Sequence, residues 1–414
     1  MAHILTNPYF QDTWSSEEMR DVFTDRHRYQ RWLDVEAALA RVQAKLGIIP
    51  QEASDEINRK ANLELLDVDA MKDHLVRAQH TFVPLLKQLE KACENGAGEF
   101  IHYGTATQDI QDTATSLELK DAFKIIFRDL CELEEKLLKL AQSHRDLPIT
   151  GRASNQHTLP TTVGLKVAGW AAEVRRNIER MKDMSKYIFV GLIHGSTGTM
   201  SGLGDRAYEV VEGVMEELDL NMPAIGWTGI RDNYGQFTVM LSQCAATIGR
   251  ITNEIYQLSR VEIDEFSEQA IHSDGDTSLS AHVTAMCRIV VNNAPLALQA
   301  MIVEHERDTR SWRLDWHHIP ENSVMLSGAL KDTIKLIDGL VINEENISRN
   351  LKLVSGKWLS DIIVSGKSVV GHHEAQNSNE GKCDFSQFTG QSGRQVDEVV
   401  KLSKEQSTND GTFL

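Results

Sequence analysis

GTATQDIQDT, residues 104–113, joins a glycine-bearing loop to a long helical run. Gly104 can take backbone angles closed to other residues. Thr105, Thr107, Gln108 and Asp109 set side-chain donors and acceptors beside the free amides of a helix N-terminus. Two readings stay open at this point: an ordinary capped helix start, or a seat for an anion. Behind the loop, Ile110, Ala114, Leu117, Ala122, Phe123, Ile126, Leu130, Leu133, Leu137 and Leu140 keep close to the i, i+3, i+4 spacing of one helix face. That spacing predicts a single helix reaching about His144.

Working outward, Ser15 and Glu18 form a capping-box pair before Met19, Val22, Phe23, Tyr29, Leu33, Ala37, Val42 and Leu46, which predicts one long amphipathic helix ending at Gly47 and Pro50. Further apolar-periodic runs occupy 160–190, 205–219, 232–270, 278–305 and 322–340. None alternates over a strand's length, and several exceed an ordinary globular helix, so the expectation is an all-α bundle. Boundaries fall at 108 and 345. They give an N-terminal helical domain (1–108), a central long-helix bundle (109–345) and a short C-terminal helical domain (346–414). The last has a polar stretch after Val370 that is short of packing residues and reads as partly disordered before the run VDEVVKLSKEQ.

A chain of 414 residues, 41% hydrophobic and with only 8 prolines, suits a helix-rich enzyme with a large core. Its 60 acidic against 43 basic residues give a formal net charge of −17, which argues against nucleic acid and acidic membranes as partners. Cys93, Cys131, Cys244, Cys287 and Cys383 are scattered, with no CxxC pair, and read as reduced thiols in a cytoplasm. No segment is apolar for the roughly 18 residues a membrane span needs.

Glycine- and hydroxyl-rich loops sit between the helical runs: 150–162, 194–204 and 272–278. Such loops at bundle ends are natural places for ligands. His317/His318 and His372/His373 are sequence neighbours that point apart on a helix, so no metal site is expected. GSTGTMSGLG (195–204) lacks the lysine and spacing of a phosphate loop. The cluster Glu304, His305, Glu306, Arg307 and Asp308 fits either a solvated helix end or a buried polar network.

The segments GEFIHYGTATQDIQDT, TGRASNQHTLPTTVGLKVAGW, GSTGTMSG and EHERDTRSW resemble, in order, the signature regions of the aspartase/fumarase superfamily. Within it they are most similar to the adenylosuccinate lyase and 3-carboxy-cis,cis-muconate cycloisomerase branches. The resemblance spans about residues 8 to 360. It implies an all-α, three-domain fold whose central helices form a homotetramer with shared active sites, and a cofactor-free β-elimination on a small carboxylate. In that reaction a base removes the proton next to a carboxylate, an aci-carboxylate forms, and an amine or oxygen leaves. Residue by residue, it assigns substrate contacts to His80, Thr107, Gln108, Asp109, Gln156, Thr197, Thr199 and Arg231.

Two departures bear on the chemistry. Gly151-Arg152-Ala153-Ser154 stands where the lyases read Gly-Arg-Thr-His, so the histidine usually cast as acid is Ser154. The interval 267–281, SEQAIHSDGDTSLSA, is shorter than the family's mobile loop and lacks its Met-Pro, lysine and asparagine. Ser273, beside His272 and Asp274, is the nearest substitute base, with His272 as the alternative. Two rivals to an adenylosuccinate lyase-like activity follow: a cycloisomerase-like or diverged elimination enzyme, and a catalytically silent metabolite-binding or scaffold homologue.

Overall fold

The computed structural model describes residues 3–154, 156–268, 278–353 and 385–413. The chain is 71% helical with few strands, the all-α class the sequence predicts. It divides into two compact units, one built from Met1–Ile126, Met181–Ser242 and Val290–Ser327, the other from Phe127–Arg180, Gln243–Ile289 and Gly328–Leu414. The long helices Thr107–Ser143, Val163–Ile188, Asp232–Leu258 and Thr309–Asp338 each contribute to both. No helix among the described residues is long and apolar enough to cross a membrane.

The helix behind the opening loop runs Thr107–Ser143. Of its predicted apolar face, every residue from Ile110 to Leu137 is buried and Leu140 is half-buried. Period and burial agree because a helix exposes one stripe of side chains to the core.

In the first unit the N-terminal region departs from the single predicted helix. Ser16, not Ser15, caps a short helix, Glu17–Val22, by accepting the Met19 amide at 3.3 Å. Thr24 then caps Asp25–Lys45 through the His27 amide at 3.2 Å. Each hydroxyl satisfies an amide that the helix itself leaves free, so a second cap breaks what periodicity alone reads as continuous. Helix Asp25–Lys45 buries Trp32, Leu33, Val35, Leu39 and Val42 and packs on Ala207–Glu217. The predicted 278–305 run is likewise two helices, Leu279–Asn292 and Ala294–Ala300, with a proline in the first turn of the second.

The second unit contains strands that the sequence reading did not expect. Pro148–Ala153 and Gln156–Thr162 form an antiparallel hairpin whose register shifts between Thr150 and Arg152. Phe266–Glu268 pairs antiparallel with Leu340–Ile342. Arg152 forks onto Glu265 at 2.7 and 2.8 Å, and Asn350 donates to the same carboxylate at 2.9 Å. Fully buried Glu265 thereby ties the hairpin to helix Glu344–Lys352. Helix Ser392–Gln406 contains the VDEVVKLSKEQ run and buries Val396 and Val400. The polar stretch from Val370 to Cys383 lies outside the described residues.

Candidate active site

Gly104 lies at φ +78°, and an added Cβ there would come within 2.4 Å of the Gly202 carbonyl oxygen. That close approach sets the GTATQ loop against the 194–204 loop in the first unit. Asp109 fastens the two. Its Oδ2 accepts the amides of Ala106 (2.9 Å) and Gly195 (2.8 Å), and its Oδ1 accepts the amide of His194 (3.1 Å). Burial raises the Asp109 pKa, while these amides and His102 pull it back. With its oxygens on backbone amides, Asp109 shapes the loops.

Thr107 and Gln108 face Arg307. Arg307 Nε donates to Gln108 Oε1 at 3.1 Å and Nη2 to Thr107 Oγ1 at 3.2 Å. Both partners are neutral, and among the described residues no carboxylate pairs with this half-buried guanidinium. Sequence reasoning left Arg307 out of the site. Its one signal was membership of the EHERDTRSW segment. That charge cluster is of mixed character: Glu304, His305 and Glu306 are exposed, Arg307 is half-buried, and Asp308 is buried with its carboxylate on Arg310.

His80 accepts the Phe82 and Val83 amides at Nδ1, both at 3.2 Å, so its neutral ring carries the proton on Nε2. Burial, then the positive charges of Arg307 and His102, lower its pKa. His102 is a second histidine the sequence reading passed over. Its Nδ1 lies 2.7 Å from Glu36 Oε1 and 3.1 Å from Thr105 Oγ1, and its Nε2 is buried with no partner among the described residues. Burial lowers the His102 pKa, but Glu36 outweighs it and the net shift is upward.

The remaining assigned residues separate. Thr197 and Thr199 are exposed on the glycine loop, where Gly195 and Gly198 both lie at φ +79°. Arg231 is 2% exposed, held between Asp112 and Asp315, and offers a ligand no accessible edge. Gln156 is exposed at the start of the second hairpin strand, in the second unit, opposite Ala153 and close in sequence to exposed Ser154. His272 and Ser273 lie outside the described residues.

Thr107 and Gln108 at the helix start thus accept from an arginine that has no carboxylate partner among the described residues, with His80 beside it, an arrangement chemically suited to binding a carboxylate. Similarity to known proteins agrees with that class. A family model described as Lyase matches residues 12–278. The chain is 35% identical over 372 residues to N-acetyl-S-(2-succino)cysteine lyase of Enterococcus italicus, covering 88% of this chain and 82% of the relative. It is 33% identical over 402 residues to adenylosuccinate lyase of Pyrococcus abyssi, covering 95% and 89% respectively. The crystal structure of 3-carboxy-cis,cis-muconate lactonizing enzyme from Pseudomonas putida aligns with a TM-score of 0.89 at 28% identity, covering 97% of this chain and all of the other. The protein is an enzyme of the lyase class. It belongs to the aspartase/fumarase superfamily.

Proposed function

We propose that the protein catalyses cofactor-free β-elimination from a 2-substituted succinate, releasing fumarate and the amine or thiol that had occupied C2. A base takes a proton from the carbon beside one carboxylate, and the electron pair delocalises into that group. The C2–N or C2–S bond then breaks as the double bond forms, and the leaving atom takes a proton. The observation that carries this reading is Arg307, half-buried and, among the described residues, hydrogen-bonded to the neutral Thr107 and Gln108 with no carboxylate partner. A succinyl carboxylate supplies the missing counter-charge.

Support for the succinyl class comes from relatives named for N-acetyl-S-(2-succino)cysteine and adenylosuccinate. A cycloisomerase-like reaction is the second reading, favoured by the muconate lactonizing structure and by Ser154 in the lyases' histidine position. A homotetramer fits the apolar side chains left in water on Val290–Ser327, where Val291 is 39%, Leu298 53% and Ile302 77% exposed.

The test is an absorbance screen of the purified enzyme for fumarate. The substrates are N-acetyl-S-(2-succino)cysteine, adenylosuccinate, argininosuccinate and aspartate, with carboxymuconolactone run for the cycloisomerase reading. Turnover of a succino compound is the expected result. Turnover of the lactone alone establishes the second reading. No turnover of any substrate, with fumarate still bound, points to a silent homologue.

A further inference from the structure

Behind Gln108 an unbroken run of hydrogen bonds enters the interior of the first unit. Gln108 Nε2 donates to Asp112 Oδ2 at 3.0 Å and to the Thr228 carbonyl at 3.3 Å. Arg231 Nη1 donates to the same Asp112 oxygen at 2.6 Å, and Nη2 reaches Oδ1 at 3.1 Å. The other side of Arg231 holds Asp315 Oδ2 at 2.6 and 3.0 Å, and Asp315 Oδ1 meets His318 Nε2 at 3.0 Å. No residue from Gln108 to His318 along this path exceeds 2% exposure.

The two ends of a glutamine amide have nearly the same shape, so its neighbours must decide which end faces which way. Here they do. Both Gln108 Nε2 hydrogens are claimed by acceptors, the Asp112 carboxylate that is paired with Arg231 and a backbone carbonyl. The reversed amide would set its oxygen against both and its N–H groups against Arg307 Nε. Only one orientation is therefore compatible, with Oε1 receiving Arg307 Nε and Thr107 receiving Nη2. The side edge of the guanidinium is then occupied. The end-on pair, Nη1–H and the second Nη2–H, has no partner among the described residues and can fork onto a carboxylate.

We propose that Asp112, held by Arg231, is a positioning residue for the elimination. Through the Gln108 amide it turns the free edge of Arg307 toward the substrate. This inference rests on the reading of Arg307 as the carboxylate-binding cation.

The test is calorimetric titration of fumarate into the enzyme and five variants, Arg307→Ala among them, with KM and kcat on the accepted substrate. Asp112→Asn supplies a donor that tolerates either amide orientation, and it should weaken fumarate and raise KM at least about tenfold with a smaller change in kcat. Asp112→Glu keeps an acceptor-only partner and should bind within about threefold of the parent. Asp315→Asn also removes one of the two carboxylates on Arg231 but does not touch Gln108, so its fumarate affinity should be retained. In an Arg307→Ala background, adding Asp112→Asn should cost no further affinity.

Parent-like binding by Asp112→Asn, with Arg307→Ala weakened, overturns the positioning role and leaves the carboxylate site standing. Equal losses in Asp112→Asn and Asp315→Asn overturn it in favour of general loosening. Parent-like binding by Arg307→Ala overturns the underlying site assignment itself. If Asp112→Asn does not fold, Gln108→Met leaves the Asp112–Arg231–Asp315 run intact and must show the same loss; parent-like binding there overturns the proposal.

Discussion

Glu36 and His102 lie 66 positions apart in sequence, yet His102 Nδ1 sits 2.7 Å from Glu36 Oε1. The His102 amide donates to the other oxygen of the same carboxylate at 3.0 Å, and the residue holds a left-handed φ of +61°. Glu36 is 2% exposed, so this pair secures the loop entering Gly104 from inside the fold. Because Glu36 raises the His102 pKa above its unfolded value, the pair's stabilisation is complete below about pH 6.5 and is lost as pH rises through the folded value. His102→Gln should therefore destabilise by on the order of 1.5–3 kcal/mol at about pH 6 and by less at about pH 9. Urea unfolding of parent and variant at both pH values measures the difference, and a gap that widened with pH would contradict it.

Arg307→Ala and Thr107→Val address the proposed carboxylate seat. Each removes a hydrogen bond to a charged group, or the charge itself, and should weaken fumarate by on the order of 1.5–3 kcal/mol, roughly ten- to a hundredfold. Circular dichroism should be unchanged. Gln156→Leu is expected to act in the same direction, and parent-like fumarate binding by it would remove Gln156 from the proposed contacts.

His80 reports the charge of the site. Burial, Arg307 and His102 hold its pKa below that of an ordinary histidine. An arriving dianion offsets Arg307 and favours the protonated ring, so fumarate should raise the His80 pKa. Arg307→Ala should raise it too, without fumarate. Nuclear magnetic resonance titration of the ring protons follows both shifts, and a fall on fumarate binding would place the anion elsewhere.

Ser273 and His272 are the candidate bases to test. Ser273→Ala and His272→Ala should each lower elimination by about 10²-fold or more, the ordinary worth of a positioned acid or base, with little change in fumarate affinity. Full turnover in both variants would move the base to another residue.

Assembly is tested by sedimentation. The helix Thr107–Ser143 has 37 residues, roughly 55 Å at the α-helical rise, longer than a small domain covers by itself. A tetramer at micromolar concentration is the expected result, and a monomer would remove the shared active sites with it.

The sequence by itself determined the helical frame and the place where the loops meet. Ile110 to Leu137 lie at helical spacing, and spacing is a local property that the chain carries into any packing. Gly104 marks a turn for the same reason, since only its own backbone must accept φ +78°. Tertiary structure alone decided what the polar residues do. Asp109 reads as a ligand contact until backbone amides fill its oxygens, and Arg231 until Asp112 and Asp315 enclose it. Arg307 meets Gln108 and Thr107 from 199 and 200 positions away, and Glu36 reaches His102 across 66. The hairpin at 148–162 escaped notice because its strands, PITGRA and QHTLPTT, are largely polar and show no regular alternation of apolar and polar residues. An apolar face is written in the order of neighbours along the chain. The partner of a charge is whichever group the fold brings within about 3 Å, and nothing local to either residue records it.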